Sequence, residues 1–189
     1  MNEQIEIEYK VLLDKKIYNQ ILKDYKNKIT DTYTQTNYYL NHPLLNKKKY
    51  MLRIREKNNS YELTLKRPLN DYNRETNITI DSDIKEKILN HNPVSNEIMN
   101  ILINEGINPL ELENQFSLTT HRTDIQLDYG ILSIDQNEYL NQIDYELEYE
   151  VNNEELGYQH FLSIINTYSI EYTKNCPSKI KRVLAVFNS

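Results

Sequence analysis

Two stretches of the chain alternate apolar and charged residues so regularly that each predicts a β-strand with one charged face. In residues 4–13 the charged face carries Glu6, Glu8 and Lys10. In residues 143–151 it carries only acidic side chains, which are Asp144, Glu146, Glu148 and Glu150. Successive side chains of a strand point to opposite sides, so the remaining residues form an apolar face. Taken alone, each charged face is most simply solvated surface.

The pattern recurs with a different charge in a predicted hairpin. Its strands, residues 50–57 and 60–67, are separated by Asn58-Asn59, a turn-forming pair. The charged faces of the two strands carry Arg53 and Arg55, and then Glu62, Thr64 and Lys66. A solvated surface usually mixes the two signs, whereas several of these faces carry one sign. The segregation favours a binding surface.

The rest of the chain supplies more strands, and helices that could cover their apolar faces. Strands are predicted at residues 32–40 and 73–80, and in a meander from about residue 115 that turns near Tyr129-Gly130. Helices are predicted from Asp14, at 82–90, 95–105 and 154–168, and after Ser178. Lys47–Lys49 is interpreted as a solvated loop. The 189 residues are expected to form a single domain, 1–189.

Composition limits the function classes. Three glycines argue against a glycine-rich phosphate loop, and a net charge of −6 gives no general reason to expect nucleic-acid binding. The single cysteine, Cys176, allows no internal disulfide and is interpreted as an incidental thiol in a reducing compartment. No apolar stretch approaches the roughly 20 residues that span a bilayer, and no signal peptide is evident. These features predict a cytoplasmic protein that does not contact a membrane.

Charged faces that turn inward would require a ligand to offset the cost of burying them. Carboxylates on alternate residues of a strand lie about 6.6 Å apart and can converge on hard cations. Arginine and lysine suit a polyanion, and arginine can bind phosphate oxygens in bidentate fashion. A divalent metal combined with basic side chains is the usual apparatus of phosphoryl transfer.

The same residues, in the same order, resemble the CYTH superfamily, the triphosphate tunnel metalloenzymes. Glu6-x-Glu8-x-Lys10 resembles its N-terminal signature, Leu52–Arg55 its paired-arginine strand and Leu63–Lys66 its lysine strand. The later matches are Glu75, Arg122, Asp135, Glu146/Glu148/Glu150 and Lys179. The chain is most similar to YjbK-type CYTH proteins of low-GC Gram-positive bacteria. The resemblance implies an α+β fold, an eight-stranded antiparallel β-barrel tunnel with a charged interior and helices packed outside.

The resemblance also implies a function and its residues. The function is metal-dependent hydrolysis of a small-molecule triphosphate, with inorganic triphosphate the first choice. The alternatives are a class IV-type adenylyl cyclase, a thiamine triphosphatase and a non-catalytic module that binds polyphosphate or nucleotides.

The implied ligands of Mg²⁺ or Mn²⁺ are Glu6, Glu8, Glu146, Glu148 and Glu150. The implied phosphate ligands are Lys10, Arg53, Arg55, Lys66, Arg122 and Lys179. Glu6, Glu8 and Lys10 are implied to be catalytic, and Glu75, Asp135 and Arg182 are further candidates. No specific nucleic acid is expected, and the state is monomer or homodimer.

Three points stay open in the sequence. The family often has an arginine where this chain has Asn73, and the adjacent Arg74 would face the other way unless a bulge re-aims it. Spacing to the next helix favours Glu148 and Glu150 over Glu146 as metal ligands. Lys179 and Arg182 are interchangeable as the last phosphate ligand.

Overall fold

A computed structural model describes residues 7–69 and 72–187, except for the side chains of Leu69, Tyr72 and Asn73. Within these residues there are eight strands and six α-helices. The strands are β1 (Ile7–Leu13), β2 (Ile29–Asn41), β3 (Met51–Lys57), β4 (Ser60–Leu69), β5 (Tyr72–Ile80), β6 (Glu113–Leu127), β7 (Gly130–Tyr139) and β8 (Gln142–Val151). The helices are α1 (Lys15–Asp24), α2 (Pro43–Lys48), α3 (Ser82–Leu89), α4 (Glu97–Asn104), α5 (Glu154–Thr167) and α6 (Lys179–Phe187). Short 3₁₀ turns lie at Lys26–Lys28 and Pro109–Glu111.

The eight strands form one sheet in the order β1-β8-β7-β6-β2-β3-β4-β5. The pairings of β1 with β8, β8 with β7, β7 with β6, β2 with β3, β3 with β4 and β4 with β5 are antiparallel. The predicted α+β class with eight antiparallel strands is therefore confirmed. The strand order is linear, with β1 and β5 at its ends, so the hydrogen bonding of the described residues forms an open sheet and not the closed barrel that was predicted.

Helix starts follow from local chemistry. Four helices begin after a residue whose side-chain oxygen accepts a hydrogen bond from a backbone N–H three residues later, which satisfies a donor that the helix leaves unpaired. These capping residues are Asp14, Asp81, Asn96 and Asn153. The prediction that Asp14 opens a helix is confirmed.

Helix α2 replaces the solvated loop that was predicted around Lys47–Lys49. Pro43 occupies its first turn, where proline is favoured because no N–H is needed there. The ring nitrogen Nδ1 of His42 accepts from the Leu44 N–H at 3.1 Å. The helix ends at Lys48, and the residue that caps it, Lys49, has a φ of 58°. Histidine is an unusual cap, and the sequence pattern did not show it.

Two turns set the position of the strands that carry the charged faces. Asn58 and Asn59 have φ values of 50° and 58°, which confirms the predicted hairpin turn between β3 and β4. Gly130, with a φ of 153°, begins β7 directly beside β8. A Cβ atom at Gly130 would lie 1.9 Å from the carbonyl oxygen of Glu150, so only glycine allows this close approach.

The described chain divides into two compact units. The central unit is residues 35–118, and the terminal unit combines residues 7–34 with residues 119–187. The core of the central unit packs β3 and β4 with α4; its members include Leu52, Ile54, Leu63, Leu65, Ile98 and Leu102. The core of the terminal unit packs β1 and β8 with α1 and α5; its members include Val11, Ile21, Leu147, Tyr149 and Phe161. Each unit thus buries one face of its strands under helices. Among the described helices, none has the length and apolar character needed to cross a bilayer.

Candidate functional site

The register of the terminal unit places its charged side chains on one face of the sheet. Lys10 lies opposite Glu148, and Asp135 lies opposite both Arg122 and Glu146. Directly opposed residues point to the same side of an antiparallel pair. The alternate residues, such as Leu147, belong to the buried core. The separation into a charged and an apolar face agrees with the prediction from the sequence.

Lys179 and Arg122 bind the carboxylates of this face. The Lys179 Nζ lies 2.9 Å from Asp135 Oδ2, 2.7 Å from Glu148 Oε1 and 3.2 Å from Glu146 Oε2. Arg122 donates to both oxygens of Asp135, at 2.8 and 2.7 Å, and also contacts Glu148. The side chain of Asp135 is 0% exposed, and it forms ion pairs with both Arg122 and Lys179.

Arg182 extends the same network to Asp144, which the sequence reasoning did not assign to the site. Its Nε donates to Asp144 Oδ2 at 2.8 Å, its Nη1 donates to the carbonyl oxygen of Pro177 at 2.7 Å, and its Nη2 contacts Glu146. Asp144 is in phase with Glu146 on β8, and that phase was the available signal. Lys179 and Arg182 both enter the network, so the structure does not separate them as alternatives.

The preferred charge state differs between Glu146 and Glu148 of the terminal unit. Burial raises the pKa of Glu146, and the neighbouring charge of Glu148 raises it further, against Lys179 and Arg182. Burial would also raise the pKa of Glu148, but Lys179 and Arg122 together hold it well below the ordinary value. Glu148 is therefore the carboxylate that stays ionised, and Glu146 is the one that binds a proton more readily.

Cys176 borders the network without the character of a nucleophile. Its thiol donates to Glu146 Oε1 at 3.7 Å. Burial and the nearby charge of Glu146 raise its pKa to about 12. Reactivity requires the thiolate, so this thiol is unreactive near neutral pH. The interpretation as an incidental thiol agrees with this environment.

The outer end of the face is formed by β1 and the end of β8. Lys10 contacts Glu8, and their side chains are 13% and 40% exposed. Glu8 lies directly opposite Glu150, which is exposed. Like charges directly opposite each other destabilise a strand pair unless a cation lies near both. Glu6, predicted to be catalytic and a metal ligand, lies outside the described residues.

The donor chemistry of this face fits a hard divalent cation. Carboxylate oxygens are the ligands that Mg²⁺ and Mn²⁺ prefer. Within the described residues, no group of three or more histidine, cysteine, aspartate or glutamate side chains is already arranged to hold a metal ion. Asp135, Glu146 and Glu148 are bound by Arg122, Lys179 or Arg182, and Glu8 is bound by Lys10. Glu8 also lies opposite Glu150 across the β1–β8 pair.

The central unit carries a second charged face, which is mainly basic. Arg53 lies opposite Thr64, Arg55 opposite Glu62, and Lys66 opposite Glu75. These side chains share one face of β3, β4 and β5, as predicted. Other members of the face include Asn37 and Asn77.

The basic groups of this face differ in their hydrogen-bond partners. Arg55 Nε donates to Asn37 Oδ1 at 3.1 Å, and Lys66 contacts Glu75. Burial favours the neutral form of Glu75, but Lys66 and Arg53 hold its pKa below the ordinary value. The Nε of Arg53 is buried and has no hydrogen-bond partner among the described residues. A buried donor without an acceptor costs free energy, so an acceptor supplied by a ligand would stabilise this atom.

Arg74 does not belong to this face. It lies opposite Arg67, and the adjacent pair Lys66–Glu75 stays in regular register. A regular register leaves no bulge that could re-aim Arg74, so its side chain points to the opposite side from Glu75. Of the two alternatives left open by the sequence, the structure supports the one in which Arg74 lies outside the site.

Comparison with known proteins places the chain in a family. The CYTH domain family matches residues 4–182. YjbK of Bacillus subtilis (strain 168), provisionally named a triphosphatase, is 31% identical over 181 residues, 93% of each chain. A crystal structure from Bacillus halodurans, provisionally named an adenylate cyclase, is 33% identical, with a TM-score of 0.79 over 95% of this chain and 97% of that one.

A more distant structure shares the fold. HpAC1 from Hippeastrum, provisionally named an adenylyl cyclase and described as having a dominant triphosphatase activity, has a TM-score of 0.78 at 20% identity, covering 96% of each chain. The family match spans nearly the whole chain, and the YjbK relative is aligned over almost its full length. The two charged faces, the order of their residues and these matches agree, and the chain belongs to the CYTH domain family.

Proposed function

We propose that this protein hydrolyses a triphosphate with the help of Mg²⁺ or Mn²⁺. Inorganic triphosphate is our first choice of substrate. The observation that carries the proposal is the basic face of the central unit, where the buried Nε of Arg53 has no acceptor among the described residues. Phosphate oxygens are strong acceptors for arginine, and Arg55 and Lys66 share the same face. YjbK, 31% identical to this chain, is provisionally named a triphosphatase, which supports the same activity.

The basic side chains have two tasks in this proposal. Arg53, Arg55 and Lys66 bind the non-bridging oxygens of the substrate and orient the chain of phosphates. They also stabilise the charge that accumulates on these oxygens as water attacks the terminal phosphorus and the bridging P–O bond breaks. The products are phosphate and diphosphate. Lys10, Arg122 and Lys179 are proposed as further phosphate ligands, and each of them also binds a carboxylate.

The acidic face of the terminal unit is proposed to hold the metal. Glu8, Glu148 and Glu150 are the described carboxylates that we assign to it, together with Glu6. A bound divalent cation would neutralise phosphate charge and polarise the bond to the leaving group. Glu146 is assigned a supporting role, because it is fully buried and binds Arg182 and Lys179.

A substrate panel tests the proposal. Phosphate release is measured with Mg²⁺ or Mn²⁺ on inorganic triphosphate, thiamine triphosphate, ATP and GTP. The wild type is compared with Arg53→Ala/Arg55→Ala and with Arg74→Ala, an arginine on the other face of the same sheet. We expect metal-dependent release that falls at least about 100-fold in the double variant and is kept in the control. Release no faster than that of the double variant would remove the enzyme proposal.

The panel also separates the alternatives. The Bacillus halodurans relative is provisionally named an adenylate cyclase, so ATP products are resolved by chromatography. Cyclic AMP with diphosphate would indicate cyclisation, and a preference for thiamine triphosphate would name that substrate. Tight triphosphate binding that needs no metal and gives no turnover would favour a binding module.

A further inference from the structure

The strand β1 is an end strand of the sheet, yet the backbone on its outer side is paired. Glu8 and Lys10 are alternate residues, so their backbone groups point the same way. These groups bond to Asn175 and Cys176. An exposed strand edge is usually covered or left to water, and here a short segment covers the part that carries the two charged residues.

One side-chain amide makes most of this cover. The backbone N–H of Lys10 donates to Asn175 Oδ1 at 2.8 Å, and Asn175 Nδ2 donates to the carbonyl oxygen of Glu8 at 2.9 Å. The N–H of Cys176 donates to the carbonyl oxygen of Lys10 at 3.1 Å. A primary amide offers one acceptor and two donors, which matches the pattern of a neighbouring strand.

The amide of Asn175 is itself held in place. The hydroxyl of Tyr172 donates to Asn175 Oδ1 at 3.0 Å. The ring of Tyr172 packs edge-on against Phe161 of the core, with the ring centroids 4.8 Å apart. The hydroxyl and the Lys10 N–H both need an oxygen acceptor, and the Glu8 carbonyl needs a donor, so the orientation of the amide is determined.

The same segment also leads into the charged network. Asn175 lies in the connection between α5 and α6, four residues before Lys179. Lys179 binds three carboxylates of the acidic face. The connection therefore joins the strand that carries Glu8 and Lys10 to the helix that supplies Lys179.

We propose that Asn175 is a positioning residue, which fixes the backbone of Glu8 and Lys10 so that their side chains meet metal and phosphate correctly. The role of Glu8 and Lys10 rests on the function proposed above. A site that binds through charged side chains is sensitive to displacements below about 1 Å. Loss of the bonds between Asn175 and the backbone of Glu8 and Lys10 is therefore expected to slow turnover.

Two variants distinguish the two hydrogen bonds that the Asn175 side chain makes to the β1 backbone. Asn175→Ala removes both bonds, whereas Asn175→Asp keeps the oxygen that accepts from Lys10 and loses the donor to Glu8. Hydrogen exchange of the Lys10 amide is followed by NMR. We expect exchange at least roughly tenfold faster in the alanine variant and near the wild-type rate in the aspartate variant. The amides of Leu147 and Tyr149, in the core of β8, report global opening and should not change.

Turnover and metal requirement provide the second readout. We expect kcat on inorganic triphosphate to fall roughly tenfold or more in both variants, with a higher half-saturating Mg²⁺ concentration. Asn19→Ala, at an exposed position on α1 of the same unit, should behave as the wild type. An unchanged Lys10 exchange rate in Asn175→Ala, or wild-type kcat and Mg²⁺ requirement in both variants, would overturn the proposal.

The two proposals can fail separately. A wild type that is inactive on every triphosphate overturns the proposed function. Mg²⁺ binding measured by calorimetry then replaces kcat as the readout for Asn175. Weaker Mg²⁺ binding in both variants would support the positioning role, and unchanged binding would contradict it.

Discussion

The two charged faces share the same alternating sequence pattern but differ in how their charged side chains are paired. On the terminal unit, four carboxylates and three cations bind one another; these are Asp135, Asp144, Glu146 and Glu148 with Arg122, Lys179 and Arg182. On the central unit, Arg53, Arg55 and Lys66 share a face with the carboxylates Glu62 and Glu75. There the buried Nε of Arg53 has no acceptor among the described residues. On the terminal face opposite charges pair with one another, whereas the central face keeps a buried donor that an anion could bind.

Because of this difference, similar substitutions on the two faces are expected to change stability and ligand binding by different amounts. Removing one member of a buried ion-pair network leaves its partner charged and unpaired, which destabilises the fold. On the central face the Nε of Arg53 has no acceptor among the described residues, so removal of this arginine is expected mainly to weaken the binding of an anion. The comparison therefore predicts that stability resides in the network of the terminal unit and ligand affinity in the basic face of the central unit.

The largest effect is expected from a matched pair of arginine substitutions. Arg122→Leu leaves Asp135, which is 0% exposed, with Lys179 as its remaining ion-pair partner. We expect the free energy of unfolding to fall by about 3 kcal/mol, measured by urea denaturation. Arg53→Leu, the control on the central unit, should lose less than about 1 kcal/mol. Equal losses would contradict the distinction between the two faces.

The second effect concerns activity. Lys66→Met removes one cation from the basic face while keeping the length of the side chain. We expect kcat/KM on inorganic triphosphate to fall roughly 10- to 100-fold, because a charge-assisted bond to phosphate is lost. Lys47→Met, at an exposed position on α2 of the same unit, is the control and should retain activity. Wild-type kcat/KM in the Lys66 variant would show that this face does not bind the substrate.

The smallest effect is a dependence of stability on pH. Lys179 and Arg122 hold the pKa of Glu148 well below its ordinary value. A depressed pKa gives stability that is present above the unfolded pKa of about 4.3 and is lost as pH falls towards the folded value. Glu148→Gln should therefore cost about 1–2 kcal/mol at neutral pH, and the difference from the wild type should shrink in acid.

Glu146→Gln is the control for this titration. The pKa of Glu146 is raised by burial and by Glu148, so its ionisation opposes folding as pH rises above the ordinary glutamate value. We expect this substitution to cost less than Glu148→Gln at neutral pH. Urea denaturation from roughly pH 3 to pH 7 measures both variants. A cost of Glu148→Gln that is the same at all pH values would refute the assigned charge states.

The faces of the strands could be predicted from the sequence because alternation has a period of two. The hairpin at Asn58-Asn59 and the helix start at Asp14 carry local signals, and both are confirmed. The order of charged residues was enough to indicate the family. Closure into a barrel depends on long-range pairing, which no local pattern encodes, and the strand order of the described residues is open.

Other features depend on contacts between distant segments. Lys179 and Arg182 are interchangeable in the sequence pattern, but residues three apart share a helix face, and both reach the carboxylates. Asp144 was visible as an in-phase residue, although its bond to Arg182 was not. Asn175 lies in a connection without periodicity, so nothing in the pattern linked it to Glu8. The spacing preference for Glu148 and Glu150 remains a prediction, and Glu146 is more deeply buried than either.

The most direct test of the account is the fate of inorganic triphosphate, followed by ³¹P NMR with the wild type and Arg53→Ala. Each protein is measured with saturating Mg²⁺, with saturating Mn²⁺, and again after chelation by EDTA. We predict that the wild type converts triphosphate to phosphate and diphosphate only when metal is present, and that Arg53→Ala is slower by roughly 100-fold while remaining folded. Turnover at the same rate in both proteins, or no turnover by the wild type with either Mg²⁺ or Mn²⁺, would contradict the account.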